Sequence, residues 1–497
     1  MFVSRGGRWR SAPHEILSRI RTHLVGRVVT LVAATAFSAL LSVALLPLTT
    51  QHLGVSDYGT YGLLMSIVAL VGAAADGGAS LLVPAHYGPA SAFERAQLFV
   101  SLAVFAGIGA SAAGLFLIIL WTWQHNTFSY QAIPLAAIVL TAVLMPLRAI
   151  TNISVLIFSV TGRGPAIAAQ MAIQSLVVFL STLAALFAFA MEGTSLFIGA
   201  LCGQFAAMCI GLVALGHHHL LSFPSRDWFR RAAISTPTTA ASGLVDGTRG
   251  FGENALLTST IGLHAVGILS HARLYHGLLT ALANAVGHNL WAKSLDEARN
   301  PHSNFETTRS AWTPVQITIT CAGIIFTFVG KEIVDIISNG KFAAAAAYIP
   351  ALFLIALIQT TERPANAIVC ASDRAASATW ARTVMALGSF IALFPAIVLF
   401  GIKGGVAICI IEAVAYRLYL RLLAGRERKT VPFQDHVAVF GCFAIVAETA
   451  YVHWVVPPLT IQLALMAVGI AMLIVVGRRS IAEMISGAHQ IVLGRPI

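Results

Sequence analysis

Charge is what this sequence has least of. Only 10% of its 497 residues are Asp, Glu, Lys or Arg, whereas a soluble domain of average composition carries roughly a quarter. With 57% of residues hydrophobic and a mean hydropathy of +0.82, a fold that covers itself with a polar, water-exposed surface is excluded. Cysteine is scarce too. The six, Cys202, Cys209, Cys321, Cys370, Cys409 and Cys442, all sit in apolar runs without paired spacing, so they read as small packing residues rather than disulfides or metal ligands. No cofactor and no metal are expected, and His217-His218-His219 reads as a solvated loop tract. Long polar segments are also missing. The longest inter-helix stretch, AKSLDEARNPHSNFETTRSA, leaves no room for an inserted soluble domain. There is neither the long extracytoplasmic loop nor the D-x-D-like metal site of a membrane glycosyltransferase, polymerase or ligase. The net charge of +11 comes without any nucleic-acid module, so anionic membrane lipids are its expected partner.

What is present is a series of apolar runs of about 20 residues, enough to cross a hydrocarbon core of roughly 30 Å. They lie near 28–48, 61–83, 97–123, 132–161, 165–190, 194–215, 233–260, 263–291, 312–336, 346–371, 377–400, 404–424, 436–456 and 459–477. The expected fold class is therefore an all-α polytopic membrane protein with about fourteen transmembrane helices. The first run follows Arg5, Arg8, Arg10, Arg19, Arg21 and Arg27 and is too long for a secretory-signal core, so it reads as an uncleaved first span. The weakest is 233–260, which contains STPTTAASGLVDGTRGFGENALLTST. Charge bias decides for it. With that span counted and the N-terminus in the cytoplasm, nearly all loop Arg and Lys fall inside, and only Lys331, Lys341 and Lys403 fall outside. Without it, the cluster Arg426, Arg428, Lys429 would face outward, against the positive-inside rule. Both termini are expected in the cytoplasm and the chain in the cell (inner) membrane.

Four arginines, Arg148, Arg249, Arg273 and Arg363, lie within spans. Each charge at a helix centre disfavours insertion by about 2.5–3.5 kcal/mol, so these residues must face protein or water. Their spacing stacks them on polar stripes. Ser242, Asp246, Arg249, Glu253 and Thr260 share one face. Arg273, Thr280, Asn284, His288 and Trp291 share another, as do Thr141, Arg148, Asn152 and Ser159. Gln359, Glu362, Arg363 and Asn366 line the tenth span, and Ser66, Asp76 and Ser80 the second. Such residues can be plain inter-helix ties, and Asp246, Arg249 and Glu253 are spaced to neutralise one another. As a set, four arginines against few acids point to a water-filled cavity with a positive wall, suited to an anionic substrate.

The sequence also repeats. A shift of 208 residues lays HLGVSDYGTYGLL (52–64) on TIGLHAVGILSHA (260–272), matching Gly54 with Gly262 and Gly59 with Gly267, and setting Asp76 opposite Asn284. The repeat is six helices long, an even number, so the two halves have parallel topology. The expected organisation is a basic cytoplasmic segment (1–27), an N-lobe (28–216), a cytoplasmic inter-lobe loop (217–232), a C-lobe (233–424), and C-terminal spans thirteen and fourteen with a tail (425–497).

The stretch HLGVSDYGTYGLLMSIVALVGAAADGGASLLVP resembles the first hairpin of the polysaccharide flippases, the Wzx-like O-unit and exopolysaccharide translocases. VDIISNGKFAAAAAYIPALFLIALIQTTERPANAIVCASDRA is similar to their ninth-to-tenth span crossing. These motifs are shared across the multidrug/oligosaccharidyl-lipid/polysaccharide exporter superfamily. Asp76 matches the family's acidic position, although Gly77-Gly78 follow it where D-x-G is commoner, and spans thirteen and fourteen are additional to a twelve-helix core. The resemblance implies two parallel six-helix lobes around a central cavity that opens alternately to cytoplasm and periplasm. It implies flipping of a polyprenyl-diphosphate-linked oligosaccharide for lipopolysaccharide or other surface-polysaccharide biosynthesis, with polysaccharide polymerase machinery as a partner and the driving force left open among H+, Na+ and the electrical potential alone. A multidrug antiporter shares the fold but is expected to have an acid-dominated cavity. Peptidoglycan-precursor flipping is a subtype of the main reading. Asp76 has two readings: a coupling acid, or a carboxylate that satisfies amides freed by a local break at Gly77-Gly78.

Overall fold

The computed structural model describes residues 12–88, 90–128, 133–216, 222–300, 302–303, 305–372, 375–427, 436–455 and 458–492. All regular structure among them is helical. In order come α1 (Ala12–His52), α2 (Val55–Ala74), the short α3 (Ala79–His86), α4 (Ala92–Phe128), α5 (Leu135–Val160), α6 (Gly164–Leu183) and α7 (Ser195–Leu215). They are followed by α8 (Arg226–Thr260), α9 (Leu263–Arg299), α10 (Glu306–Ser338), α11 (Ile349–Ala371), α12 (Ala375–Phe400), α13 (Ile402–Glu427), α14 (His436–Val455) and α15 (Leu459–Val492). Each of the fourteen expected spans is helical here, with α2 and α3 together forming the second. Ten helices are long and apolar enough to cross a membrane. The four spans outside that group are α8, α9, α11 and α13, which carry Arg249, Glu253, Arg273, Arg363 and Glu412. Several of these groups pair across neighbouring helices rather than facing lipid.

Helices α1, α2 and α4–α7 pack together as one lobe and α8–α13 as another, while α14 and α15 pack on α10. The lobes meet where α2 lies against α8 and α9, α1 against α9 and α10, and α4 against α8. The 208-residue repeat is visible in the elements. α1 ends at His52 and α8 at Thr260, and α2 starts at Val55 after Gly54 just as α9 starts at Leu263 after Gly262. At the crossing of α2 and α9 the contact is reciprocal: a Cβ on Gly59 would strike the Leu263 carbonyl oxygen, and one on Gly267 would strike the Val55 carbonyl oxygen. Only glycine permits this approach.

Two expectations on extent are corrected. The second span is not one helix, because Gly77 and Gly78 adopt φ of 63° and 75°, a left-handed pair that ends α2 and starts α3. Gly78 also lets α8 approach, since a Cβ there would sit 2.7 Å from the Ser235 Cβ. The inter-lobe loop 217–232 is helical from Arg226, and 217–221, including His217-His218-His219, lies outside the described residues. The early start has local causes. Ser225 is in extended backbone ahead of the helix, its amide donates to Ser101 Oγ at 2.8 Å, and Asp227 complements the positive helix end. Trp228 and Phe229 then meet His86 and Phe105 of the first lobe edge-on.

Candidate functional site

The four polar spans meet one another inside the second lobe. From α8, Arg249 donates to Glu412 Oε1 of α13 at 2.6 Å. One turn on, Glu253 pairs with Arg273 of α9, and the same guanidinium donates to Asn254 Oδ1 at 3.1 Å. Farther along α9, Asn284 Oδ1 accepts from Arg363 of α11 at 2.8 Å. These bonds join α13 to α8, α8 to α9 and α9 to α11 in one seam. The carboxylates are the buried members, with side-chain exposures of 2% for Glu253 and 10% for Glu412, and the arginines remain about a quarter exposed, 30% for Arg273 and 25% for Arg249. One oxygen of each carboxylate, Glu253 Oε1 and Glu412 Oε2, is buried without a protein hydrogen-bond partner among the described residues.

The expected neutralisation within α8 is not what forms: both Arg249 and Glu253 turn to other helices, and the Asp246 side chain lies outside the described residues. Gln359 and Glu362 line a small polar space of about 60 Å³ with Arg249, Arg382, Cys409, Glu412 and Tyr416. It is enclosed by second-lobe helices alone. Asn366 accepts from the Cys370 thiol at 3.6 Å and lies one turn beyond Glu362. The His288 side chain is outside the described residues.

Arg148 stands apart, on α5 in the first lobe, within electrostatic reach of Tyr61, with Asn152 exposed one turn on. Among the described residues, neither Arg148 nor Arg363 has a carboxylate within ion-pair distance. Asp76 occupies the α2–α3 break. It accepts from the Gly78 amide at 2.8 Å, the Ser80 amide at 3.3 Å and the Ser80 hydroxyl at 2.7 Å, so it binds the free amides at the start of α3.

Between the lobes a pocket of about 270 Å³ is bounded by Thr35, Ser38 and Ser42 of α1, Met171 of α6, and Arg273, Gly277 and Leu278 of α9. Arg273 is thus shared: its guanidinium belongs to the seam, and the residue also lines the inter-lobe space. An anion entering this space would meet one cation and hydroxyls on mostly apolar walls, an arrangement that fits an amphiphile with a charged head.

Three seam residues escaped the sequence reading. Glu412 carries the same insertion cost as the arginines, and that cost alone marks it. Asn254 has no such signal, because an amide beside Glu253 looks ordinary until Arg273 is seen to bridge both. Arg382 reads as a loop-proximal cation by position, yet it faces the polar space and lies over the Tyr416 ring at 5.8 Å.

No protein-family model and no curated protein matches this sequence. Among solved structures, the chain is similar to the lipid II flippase MurJ in an inward closed conformation, with a TM-score of 0.69 at 15% identity over 90% of this chain and 99% of that one. It is also similar to an inward-facing multidrug resistance MATE transporter, with a TM-score of 0.57 at 13% identity over 79% and 96% of the two chains. A MOP superfamily transporter from Pyrococcus furiosus, whose binding pocket of reversed polarity suggests a different function, matches with a TM-score of 0.55 at 13% identity over 81% and 96%. The chain has the fold these transporters share.

Proposed function

We propose that the protein flips a polyprenyl-diphosphate-linked oligosaccharide across the cytoplasmic membrane by alternating access of the two lobes, for surface-polysaccharide or lipopolysaccharide biosynthesis. The observation that carries this reading is the inter-lobe pocket that offers Arg273 on otherwise apolar and hydroxyl-bearing walls. A diphosphate head takes the cation and a polyprenyl tail keeps to the apolar side. Guanidinium binds phosphate bidentately, which lysine cannot do. Arg148 and Arg363, which have no ion-pair partner among the described residues, are available for the same anion. Outward movement of about two negative charges down an inside-negative potential gains roughly 4.6 kcal/mol per 100 mV. The similarity to a lipid II flippase agrees in kind with a lipid-linked cargo.

The test is replacement of Arg148, Arg273 and Arg363 with Ala and with Lys, scoring surface glycan at equal membrane levels. Ala variants are expected to lose export, and Lys variants to restore it only in part. Full export by all three Ala variants rejects an anion-binding role. Loss of peptidoglycan synthesis with surface glycan intact moves the substrate to the peptidoglycan precursor.

A further inference from the structure

Where α1 turns into α2 and α8 into α9, the lobes are closed against each other by more than the glycine crossing. The Thr50 hydroxyl donates to the Ile337 carbonyl at 3.0 Å, and Lys341 Nζ donates to the Gln51 carbonyl at 2.6 Å. At the centre is an aromatic cluster drawn from both lobes. His271 of α9 stacks on Phe342 at 4.4 Å and 25°, with the edge of Tyr58 from α2 at 6.0 Å and that of Tyr275 at 5.4 Å. Tyr58 in turn hydrogen-bonds Thr49 of α1.

The imidazole is fully buried. Its Nε2 meets the Tyr275 hydroxyl at 3.3 Å, and its Nδ1 is buried with no partner. The titratable groups that face it are phenols: Tyr58 from α2 and Tyr275 from its own helix. Phe342 covers it from the α10–α11 turn, and the neighbouring Lys341 is turned to Gln51. Among the described residues no carboxylate lies within ion-pair distance to balance an imidazolium in this cage.

We propose that His271 is a proton-binding site that controls this seal: the closed seal holds the ring neutral, and proton uptake from the side it faces opens it. The inference rests on the alternating-access reading, because it requires a state in which the lobes part here and the ring is wetted. The sign follows from linkage. The open, hydrated ring binds a proton more tightly than the caged one, so falling pH shifts the population toward open. For a single site the open-to-closed ratio rises by at most about tenfold per pH unit. On the topology read from the loop charges this face is periplasmic, so the proton would come from outside.

The test places spin labels at Glu192→Cys and Lys403→Cys, both exposed, in a cysteine-free background, and measures their distance distribution in lipid nanodiscs between about pH 7.5 and about pH 5. The longer-distance population is expected to grow severalfold on acidification. His271→Phe, which keeps the stack, and His271→Gln, which keeps a neutral polar group, are both expected to abolish that growth. The combined change His52→Gln, His264→Gln, His276→Gln is expected to preserve it. Growth that persists in His271→Phe and His271→Gln overturns the proposal. So does a parent protein that ignores pH but opens when polyprenyl diphosphate is added, a result that leaves the transport reading standing. A distance that responds to neither overturns both.

Discussion

At the scale of single residues, the carboxylates matter for what they leave unpaired. Asp76 uses its oxygens on the amides and hydroxyl that open α3, the role of an N-terminal helix cap. Asp76→Asn keeps an acceptor oxygen, so it is expected to accumulate normally and transport near the parent rate. Asp76→Leu loses the cap, costs about 1 kcal/mol and is expected to lower the unfolding temperature of the purified protein. If Asp76→Asn is stable and inactive, the carboxylate titrates during transport and the cap is not its main role. The second oxygens of Glu253 and Glu412 raise the reverse question, because each is buried without a protein partner. The intramembrane charges could be picked out from insertion cost, as could their inward direction from spacing. Their partners could not: Arg249 reaches Glu412, 163 positions away, and a one-dimensional spacing rule sees only the neighbours Asp246 and Glu253.

At the scale of helices, all fourteen expected spans are helical; ten are apolar and long enough to cross a membrane on that ground alone, whereas α8 needed the loop charges. Boundaries were less legible. A local break at Gly77-Gly78 is one reading of Asp76, and the two consecutive left-handed glycines make it; the exact ends of α2 and α3 were not legible, since glycine pairs occur in unbroken helices as well. The α8 start at Arg226 depends on Ser101, a residue of another helix. The α2–α9 crossing gives the sharpest test at this scale. Gly59→Ala or Gly267→Ala puts a methyl against a backbone carbonyl that cannot move aside, so either change is expected to hold the two helices apart. A cysteine at Ser270, which packs against Gly62, should then react with a water-soluble thiol reagent several times faster than in the parent background. Unchanged reactivity in both variants would mean that the crossing is not part of the seal.

At the scale of the whole molecule, the side of the membrane each face occupies follows from charge bias alone, and the helix packing is the same for either orientation. A cysteine at Gly262 is expected to label from outside intact cells, and one at Arg428, outside the described residues, only after permeabilisation. Reversal of both would turn the proposed direction of transport around and make the His271 face cytoplasmic. The sugar unit of the proposed cargo was not legible, because a pocket selects by shape and this one is built from α1, α6 and α9 together.

The reciprocal glycine contact is also a matter of symmetry. Each half presents the same glycine to the same carbonyl of the other, Gly59 to Leu263 and Gly267 to Val55, and such self-complementarity is the mark of a two-fold homodimer interface. At this crossing the two lobes thus meet as identical subunits would. A side chain on either glycine would strike the backbone of the other half, so the crossing admits no change at one position without disturbing its counterpart. The charged seam, among the described residues, lies in one lobe only, while the crossing is the same seen from either half.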